Sequence, residues 1–176
     1  PLIYADEFLI SHTNETEYRK FLANQEMEAL HDRIIVVKVP YNLEVDSEVK
    51  IYRKLIAQGG LSDIHIAPYS LEVAAMFAIL SRLKISKNSS LTLLSKMKLY
   101  NGEEVEGFSS QEVGEFKKEF DKEGMDGVSP RYIINRISSS MTEEGVSSVT
   151  PIDIIRSIRS GFKSNPKLDK KEVERL

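Results

Sequence analysis

The chain has 176 residues, no cysteine, and 24 basic against 27 acidic side chains, which gives a formal net charge of −3. The lack of cysteine excludes disulfides, thiolate metal sites and cysteine nucleophiles, and the mild acidity argues against a nucleic-acid-binding protein. Neither a signal pattern nor an apolar run of about 20 residues, the length of a membrane-spanning helix, is recognisable, so we expect a cytoplasmic protein without a membrane partner.

Two apolar runs near the beginning predict buried parallel strands. They are residues 8–11 and residues 34–39, and the second is rich in β-branched side chains and ends at Pro40. Between them, Asn14 and Glu17 resemble a capping box before apolar residues at nearly helical spacing. This order predicts a βαβ unit. Because two parallel strands do not form a stable sheet alone, we expect it to be the remnant of a larger parallel sheet.

The chain after Asp46 predicts a succession of helices. An apolar stripe ends at Gly59-Gly60, and residues 71–83 are apolar on nearly every side, as is typical of a central helix. Capping patterns predict further helix starts at Ser109 with Glu112, at Ser129-Pro130, and at Thr150-Pro151 with Asp153. We therefore predict a mainly α chain: an α/β part over residues 1–44, an all-helical domain over residues 45–162, and a solvated linker over residues 163–176.

Several common catalytic motifs are missing from the sequence. It contains no G-x-x-x-x-G-K-[ST] phosphate loop, no H-R-D or D-F-G kinase motif, no G-x-S-x-G and no H-E-x-x-H. Residues 2–7 imitate the acidic strand that holds magnesium, but the next predicted strand follows too closely for a parallel crossover. The histidines are scattered, so we predict no metal site; they are His12, His31 and His65.

Three positions combine polar chemistry with an informative location. Thr13 and Asn14 follow a predicted strand, where α/β proteins bind ligands, although Asn14 taken alone is better explained as a helix cap. Arg33 lies at the end of a predicted helix. Its positive charge either interacts favourably with the negative end of the helix dipole or reaches a phosphate bound by a neighbouring subunit. Arg131 lies in the first turn of a helix, where a cation is mildly unfavourable unless an anion is bound there.

In this order, the three positions resemble sensor 1, the arginine finger and sensor 2 of an AAA+ ATPase. Longer strings resemble the PrkA family of bacterial serine protein kinases, and together they cover nearly the whole chain: His12-Thr13-Asn14-Glu15, Ala29-Leu30-His31-Asp32-Arg33-Ile34, Val39-Pro40-Tyr41-Asn42-Leu43, Leu99-Tyr100-Asn101-Gly102-Glu103 and residues 127–137.

The resemblance implies a nucleotide-dependent enzyme that phosphorylates a protein substrate. Thr13 and Asn14 would lie near the γ-phosphate, with Asn14 orienting the nucleophile, and Arg131 would contact the phosphates from a helical lid. Arg33 would reach the nucleotide of an adjacent subunit, which implies a homo-oligomer. ATP and Mg²⁺ would be the cofactors of the full-length protein.

The resemblance also predicts which functional parts lie outside this sequence. We expect the family's Walker A loop and Walker B strand to precede Pro1 and a kinase-like domain to follow Leu176. This stretch alone should therefore neither bind ATP tightly nor transfer phosphate. Two alternatives stay open: a helical binding or regulatory module without phosphotransfer, and a component of ATP-driven remodelling or proteolysis.

Overall fold

The structure is a computed structural model that describes residues 6–60, 64–85, 91–109, 112–120, 123–142 and 145–163. These residues form eight α-helices and two short strands: α1 (Glu15–Ala23), α2 (Glu28–His31), α3 (Val45–Gln58), β1 (His65–Ile66), α4 (Ser70–Arg82), α5 (Leu93–Tyr100), α6 (Glu112–Glu119), α7 (Pro130–Met141), β2 (Ser148–Val149) and α8 (Pro151–Lys163). A 3₁₀ turn over Gln25–Met27 separates α1 from α2. The prediction of a mainly α chain is confirmed.

The chain divides into two compact units at the bond between Lys38 and Val39. The first unit contains α1, the 3₁₀ turn and α2, and none of its described residues is buried. The second unit contains the other described helices and both strands. The predicted boundary at residue 44 lies slightly further along the chain. Of the predicted linker over residues 163–176, Lys163 is the last residue of α8 and the rest lies outside the described residues.

The two strands predicted in the first part of the chain are not formed. Residues 8–11 and 34–39 have no regular secondary structure and no strand pairing, and Phe8 and Ile35 are 88% and 91% exposed. The prediction of strands at residues 8–11 and 34–39 was wrong. A strand is stable only when a neighbour accepts and donates its backbone hydrogen bonds, and the described residues supply no such neighbour to either segment.

Parallel pairing occurs instead between β1 and β2. His65 pairs with Ser148 and Ile66 with Val149, and the Ala67 amide donates to the Val149 carbonyl over 2.9 Å. Two residues are too few to show an alternating pattern in the sequence, so periodicity could not predict this pair. Each strand leads directly into a helix, β1 into α4 and β2 into α8.

The core of the second unit is organised around α4. Ala74, Ala75, Ala78 and Ile79 have no exposed surface, which confirms the predicted central helix. The helix α3 packs against α4 along a stripe with helical periodicity, formed by Val45, Val49, Tyr52 and Ile56. The helices α7 and α8 complete the core with Ile133, Ile137, Ile154 and Ile158. Among the described helices, none has both the length and the apolar character needed to cross a membrane.

The start of α8 shows how local sequence determines a helix end. The Thr150 amide donates to Asp153 Oδ2 over 3.0 Å, and the Thr150 hydroxyl donates to the same oxygen over 2.6 Å. These hydrogen bonds hold the pKa of Asp153 below its ordinary value. The predicted helix start at Thr150 is confirmed, as is the start of α7, where Ser129 Oγ accepts a hydrogen bond from the Tyr132 amide.

Candidate functional site

Asn14 is placed by the start of α1. Its side-chain oxygen accepts a hydrogen bond of 2.8 Å from the Glu17 amide, and this is the capping arrangement that the sequence predicted. Its amide nitrogen forms no hydrogen bond with another described residue. Thr13 precedes it, and its hydroxyl lies 3.4 Å from the Asn14 carbonyl oxygen. Thr13 and Asn14 therefore form one exposed polar corner.

Arg33 follows the end of α2. Its backbone amide donates to the Leu30 carbonyl over 3.0 Å, whereas its exposed guanidinium forms no ion pair within the described chain. The helix is held to α1 by His31, whose Nε2 lies 3.0 Å from the Phe21 carbonyl oxygen and whose ring meets the Phe21 ring edge-on at 4.7 Å. His31 thus packs within the unit, as the sequence suggested, while the exposed Arg33 guanidinium has no ion-pair partner among the residues that the structure describes.

Arg131 occupies the first turn of α7, where the positive end of the helix dipole lies. Its side chain is exposed, and no acidic residue belongs to that turn. Within the described residues its guanidinium has neither a hydrogen-bond nor an ion-pair partner. A cation placed at a helix N-terminus without a counter-ion is electrostatically unfavourable, and a bound anion would satisfy both the helix end and the guanidinium.

A group of buried charges, which the sequence patterns did not predict, lies next to the start of α7. Arg82 and Glu48 have fully buried side chains, and their ion pair measures 2.7 Å. Tyr52 donates a hydrogen bond of 2.8 Å to Glu48, and burial, reinforced by the Glu48 charge, raises the pKa of Tyr52. Arg82 interrupts the apolar stretch that forms α4, and this was the signal in the sequence that could have revealed it.

A second buried ion pair joins α5 to the loop that precedes α7. Lys96 Nζ lies 2.6 Å from Glu123 Oε1, with both side chains almost completely buried. Glu123 also accepts a hydrogen bond of 2.7 Å from the Tyr100 hydroxyl through its other oxygen. The Lys96 ammonium lies 4.0 Å from the centre of the Phe120 ring, so an aromatic face completes its surroundings. These charges are satisfied internally and are not exposed to a ligand.

The donor groups of the described chain fit an anion better than a metal ion. Three side-chain groups of the candidate residues have no hydrogen-bond partner among the described residues, and all three are donors: the Asn14 amide nitrogen and the guanidinium groups of Arg33 and Arg131. Such donors suit phosphate oxygens. Within the residues that the structure describes, no cluster of three or more histidine, aspartate or glutamate side chains has an arrangement that could hold a metal ion.

Comparison with known proteins matches both halves of the chain to models of the same family. The family model described as the PrkA AAA domain matches residues 1–90, which is half of the chain. The chain belongs to the PrkA family. A second model, described as the PrkA serine protein kinase C-terminal domain, matches residues 94–176. The boundary between the two matched ranges falls within the helical unit. The core of that unit contains residues from both ranges, for example Ile79 from the first and Ile133 from the second.

Curated relatives agree with the PrkA assignment. The chain is 51% identical over 174 residues to the ATP-dependent protease PrkA of Bacillus subtilis strain 168, covering 99% of this chain and 28% of that protein. It is 39% identical over 135 residues to the serine/threonine kinase YeaG of Escherichia coli K12, covering 74% of this chain and 20% of that protein. The chain therefore spans well under a third of these relatives. No solved structure matches it.

Proposed function

We propose that this chain is the nucleotide-responsive part of an ATP-dependent protein-serine kinase of the PrkA type. Membership of the PrkA family supports the coarse assignment to ATP-using enzymes. The single structural observation that carries the finer proposal is Arg131. It is an exposed arginine in the first turn of α7, in a register set by the Ser129 cap, and it has no counter-ion among the described residues. That arrangement suits a nucleotide phosphate as the missing anion.

The other predicted residues take supporting roles in this proposal. The free amide of Asn14 orients the nucleophile near the γ-phosphate, and Thr13 lies beside it at the polar corner before α1. The unpaired guanidinium of Arg33 reaches the nucleotide of an adjacent subunit, so the active enzyme is a homo-oligomer. Mg²⁺, bound by groups outside the described residues, would neutralise phosphate charge, and the substrate would be a protein.

ATP-dependent proteolysis is a second candidate function. The observation that favours it is the 51% identity, over nearly the whole chain, to a relative named as an ATP-dependent protease. The proposed roles of Arg131 and Arg33 are the same in both cases, because each contacts the nucleotide. The nucleophile that Asn14 orients differs: it is a serine hydroxyl of the protein substrate in the kinase and water in the ATP hydrolysis that drives a protease. The two functions differ in the fate of that substrate, which is either phosphorylated or cleaved.

The test compares Arg131→Ala with Arg159→Ala in the full-length gene product. Both arginines are exposed on helices of the same unit, but only Arg131 lies at a helix start. Loss of a hydrogen bond between charged groups costs about 1.5–3 kcal/mol, so Arg131→Ala should lower ATP turnover by about tenfold or more. Arg159→Ala should leave it unchanged. Equal turnover in the two variants would remove Arg131 from the nucleotide site.

The same preparations separate the remaining possibilities. Transfer of labelled γ-phosphate to serine in a protein supports the kinase, and ATP-stimulated cleavage of an unfolded protein supports the protease. If Arg33 acts on a neighbour, then mixing Arg33→Ala chains with Arg131→Ala chains should restore part of the turnover, because some sites receive an intact arginine from each partner. No recovery in the mixture would contradict a role between subunits.

A further inference from the structure

The loop that precedes α7, residues 123–129, contacts two parts of the second unit that are distant in the sequence. We call it the clasp loop. On one side it meets the backbone that enters the unit after Lys38, and on the other it leads directly into α7. Within the described chain, it is held by hydrogen bonds to α4 and α5 as well, so its conformation is determined from several directions.

The entering backbone is bound at Tyr41 and Asn42. The Tyr41 amide donates to the Gly124 carbonyl over 2.8 Å, and Arg82 Nη1 donates to the Asn42 carbonyl over 2.7 Å. The Arg82 guanidinium also lies 5.0 Å from the centre of the Tyr41 ring. Two backbone groups and one aromatic ring of the entering segment are thus tied to the clasp loop and to the end of α4.

The start of α7 is bound by the same arginine. Arg82 Nε donates to the Val128 carbonyl over 3.0 Å, and the Val128 amide donates to Ser81 Oγ over 2.9 Å. Val128 immediately precedes Ser129, whose hydroxyl caps α7. One buried guanidinium therefore holds Asn42, Glu48 and Val128 at once, and its planar fork of donors gives these three contacts a fixed relative geometry.

The other end of the clasp loop is anchored at Glu123. Its Oε1 accepts hydrogen bonds from the Lys84 amide over 2.7 Å and from Lys96 Nζ over 2.6 Å. Leaving one member of a buried ion pair without its partner is strongly unfavourable. The anchor therefore holds this end of the clasp loop in place.

Two glycines let the clasp loop approach its partners closely. Gly124 has a φ of +78°, and a Cβ placed there would lie 2.9 Å from the Tyr41 carbonyl oxygen. Gly127 has a φ of +103°, and a Cβ placed there would lie 2.7 Å from the Ser81 carbonyl oxygen. Both positions combine a left-handed backbone with contact distances that exclude any side chain.

From these contacts we propose that the clasp loop and Arg82 are positioning groups that couple the segment Tyr41–Asn42 to the orientation of Arg131. Displacement of the entering segment moves the loop, and the loop moves the first turn of α7. The functional part of this inference rests on the proposed role of Arg131 at the nucleotide. The mechanical part, the coupling between Tyr41 and the start of α7, is independent of that role.

Amide hydrogen exchange on this chain tests the mechanical part with Gly124→Ala against Gly145→Ala. The two glycines have nearly equal φ, +78° and +80°, but a Cβ at Gly145 has no neighbour within 4 Å. Gly124→Ala should accelerate exchange of the Tyr41, Val128 and Tyr132 amides together by about tenfold or more. Gly145→Ala should leave these three amides unchanged. Faster exchange at Tyr41 alone would overturn the coupling.

A milder variant keeps the test decisive if Gly124→Ala does not fold. Ser81→Ala removes the acceptor of the Val128 amide without adding an atom to the loop. The coupling predicts faster exchange at Tyr41 as well as at Val128 and Tyr132, although Tyr41 does not contact Ser81 through any hydrogen bond in the described chain. Unchanged exchange at Tyr41 in the folded Ser81→Ala chain would overturn the proposal.

Kinetics of the full-length gene product test the functional part. Gly124→Ala should raise KM for ATP several-fold in the wild-type background and should have no further effect in the Arg131→Ala background, because the arginine that it displaces is then absent. Equal effects in both backgrounds would overturn the positioning role. If Arg131→Ala alone changes nothing, the proposed nucleotide contact fails instead, whereas the exchange result for the coupling stands.

Discussion

Among the described residues of the helical unit, two pairs of charged side chains have almost no exposure, Arg82 with Glu48 and Lys96 with Glu123. Each charge has its partner and further hydrogen bonds, which offset part of the cost of removing it from water. Among the described residues, Oε2 of Glu48 is buried without a hydrogen-bond partner, so one oxygen of this carboxylate stays unsatisfied. Buried pairs of this kind favour one arrangement of the surrounding backbone. In this chain they hold the backbone of the clasp loop.

At the same scale, Asn14 has two possible roles that one substitution separates. Aspartate caps helices as well as asparagine does, but it lacks the amide donor proposed to orient the nucleophile. We expect Asn14→Asp to preserve the helix content of this chain and to lower ATP turnover of the full-length gene product about tenfold or more.

Serine provides the matched control because it also caps helices. Asn14→Ser should keep α1, but it should also lower ATP turnover because the serine side chain is smaller and lacks the amide. Circular dichroism verifies the fold of each variant. Wild-type turnover in Asn14→Asp would show that Asn14 serves only as a cap.

At the scale of elements, α7 and α8 pack closely because α8 has a glycine at their contact. A Cβ at Gly161 would collide with the Tyr132 hydroxyl and would lie 2.7 Å from Cδ of Arg136. The Tyr132 hydroxyl donates to the Ile158 carbonyl over 3.3 Å, and Ser157 Oγ donates to the Arg136 carbonyl over 2.8 Å. The two helices therefore meet through side chains that cross onto the partner's backbone.

This contact predicts opposite effects for two helical glycines. Gly161→Ala should lower the free energy of unfolding by about 1–2 kcal/mol, because overpacking costs about 1–3 kcal/mol and the helix propensity of alanine offsets part of it. Gly114→Ala in α6 meets nothing within 4 Å and should raise it by up to about 1 kcal/mol, because alanine favours the helix. Chemical denaturation of this chain measures both. A neutral or stabilising Gly161→Ala would contradict the packing.

At the scale of the whole molecule, the two units differ in what stabilises them. Residues 45–162 supply the buried apolar core, whereas residues 6–38 include no buried side chain. Stability in proteins comes mainly from apolar burial, so the second unit should carry nearly all of it. The first unit relies on short helices, and isolated helices of fewer than about 12 residues are marginal in water.

Truncation tests this division. Residues 39–176 alone should unfold with a free energy within about 0.5 kcal/mol of the intact chain, the usual range for changes away from a core. A peptide of residues 1–38 should show little helical circular dichroism. A large loss of stability in the truncated chain would reveal that the first unit contributes buried contacts.

Short local patterns were sufficient to predict the helix ends and the central helix. The caps at Asn14, Ser129 and Thr150 depend on atoms within three residues of each other, and the apolar character of α4 follows from its own composition. Position and chemistry also singled out Arg131 before its surroundings were known. The roles proposed for Arg131, Arg33 and Asn14 at a nucleotide remain predictions.

Sequence by itself determined the helical character of this protein, its family and the starts of α1, α6, α7 and α8, because each depends on neighbouring residues or on recognisable strings. Only the tertiary structure decided which segments pair as strands and which charges are buried. Residues 8–11 and 34–39 have strand-forming side chains but no partner in the described chain, while β1 and β2 pair because the packing of α4 and α8 brings their backbones together. Arg82 and Glu123 acquire their roles in the same way, through partners more than 25 residues away in sequence.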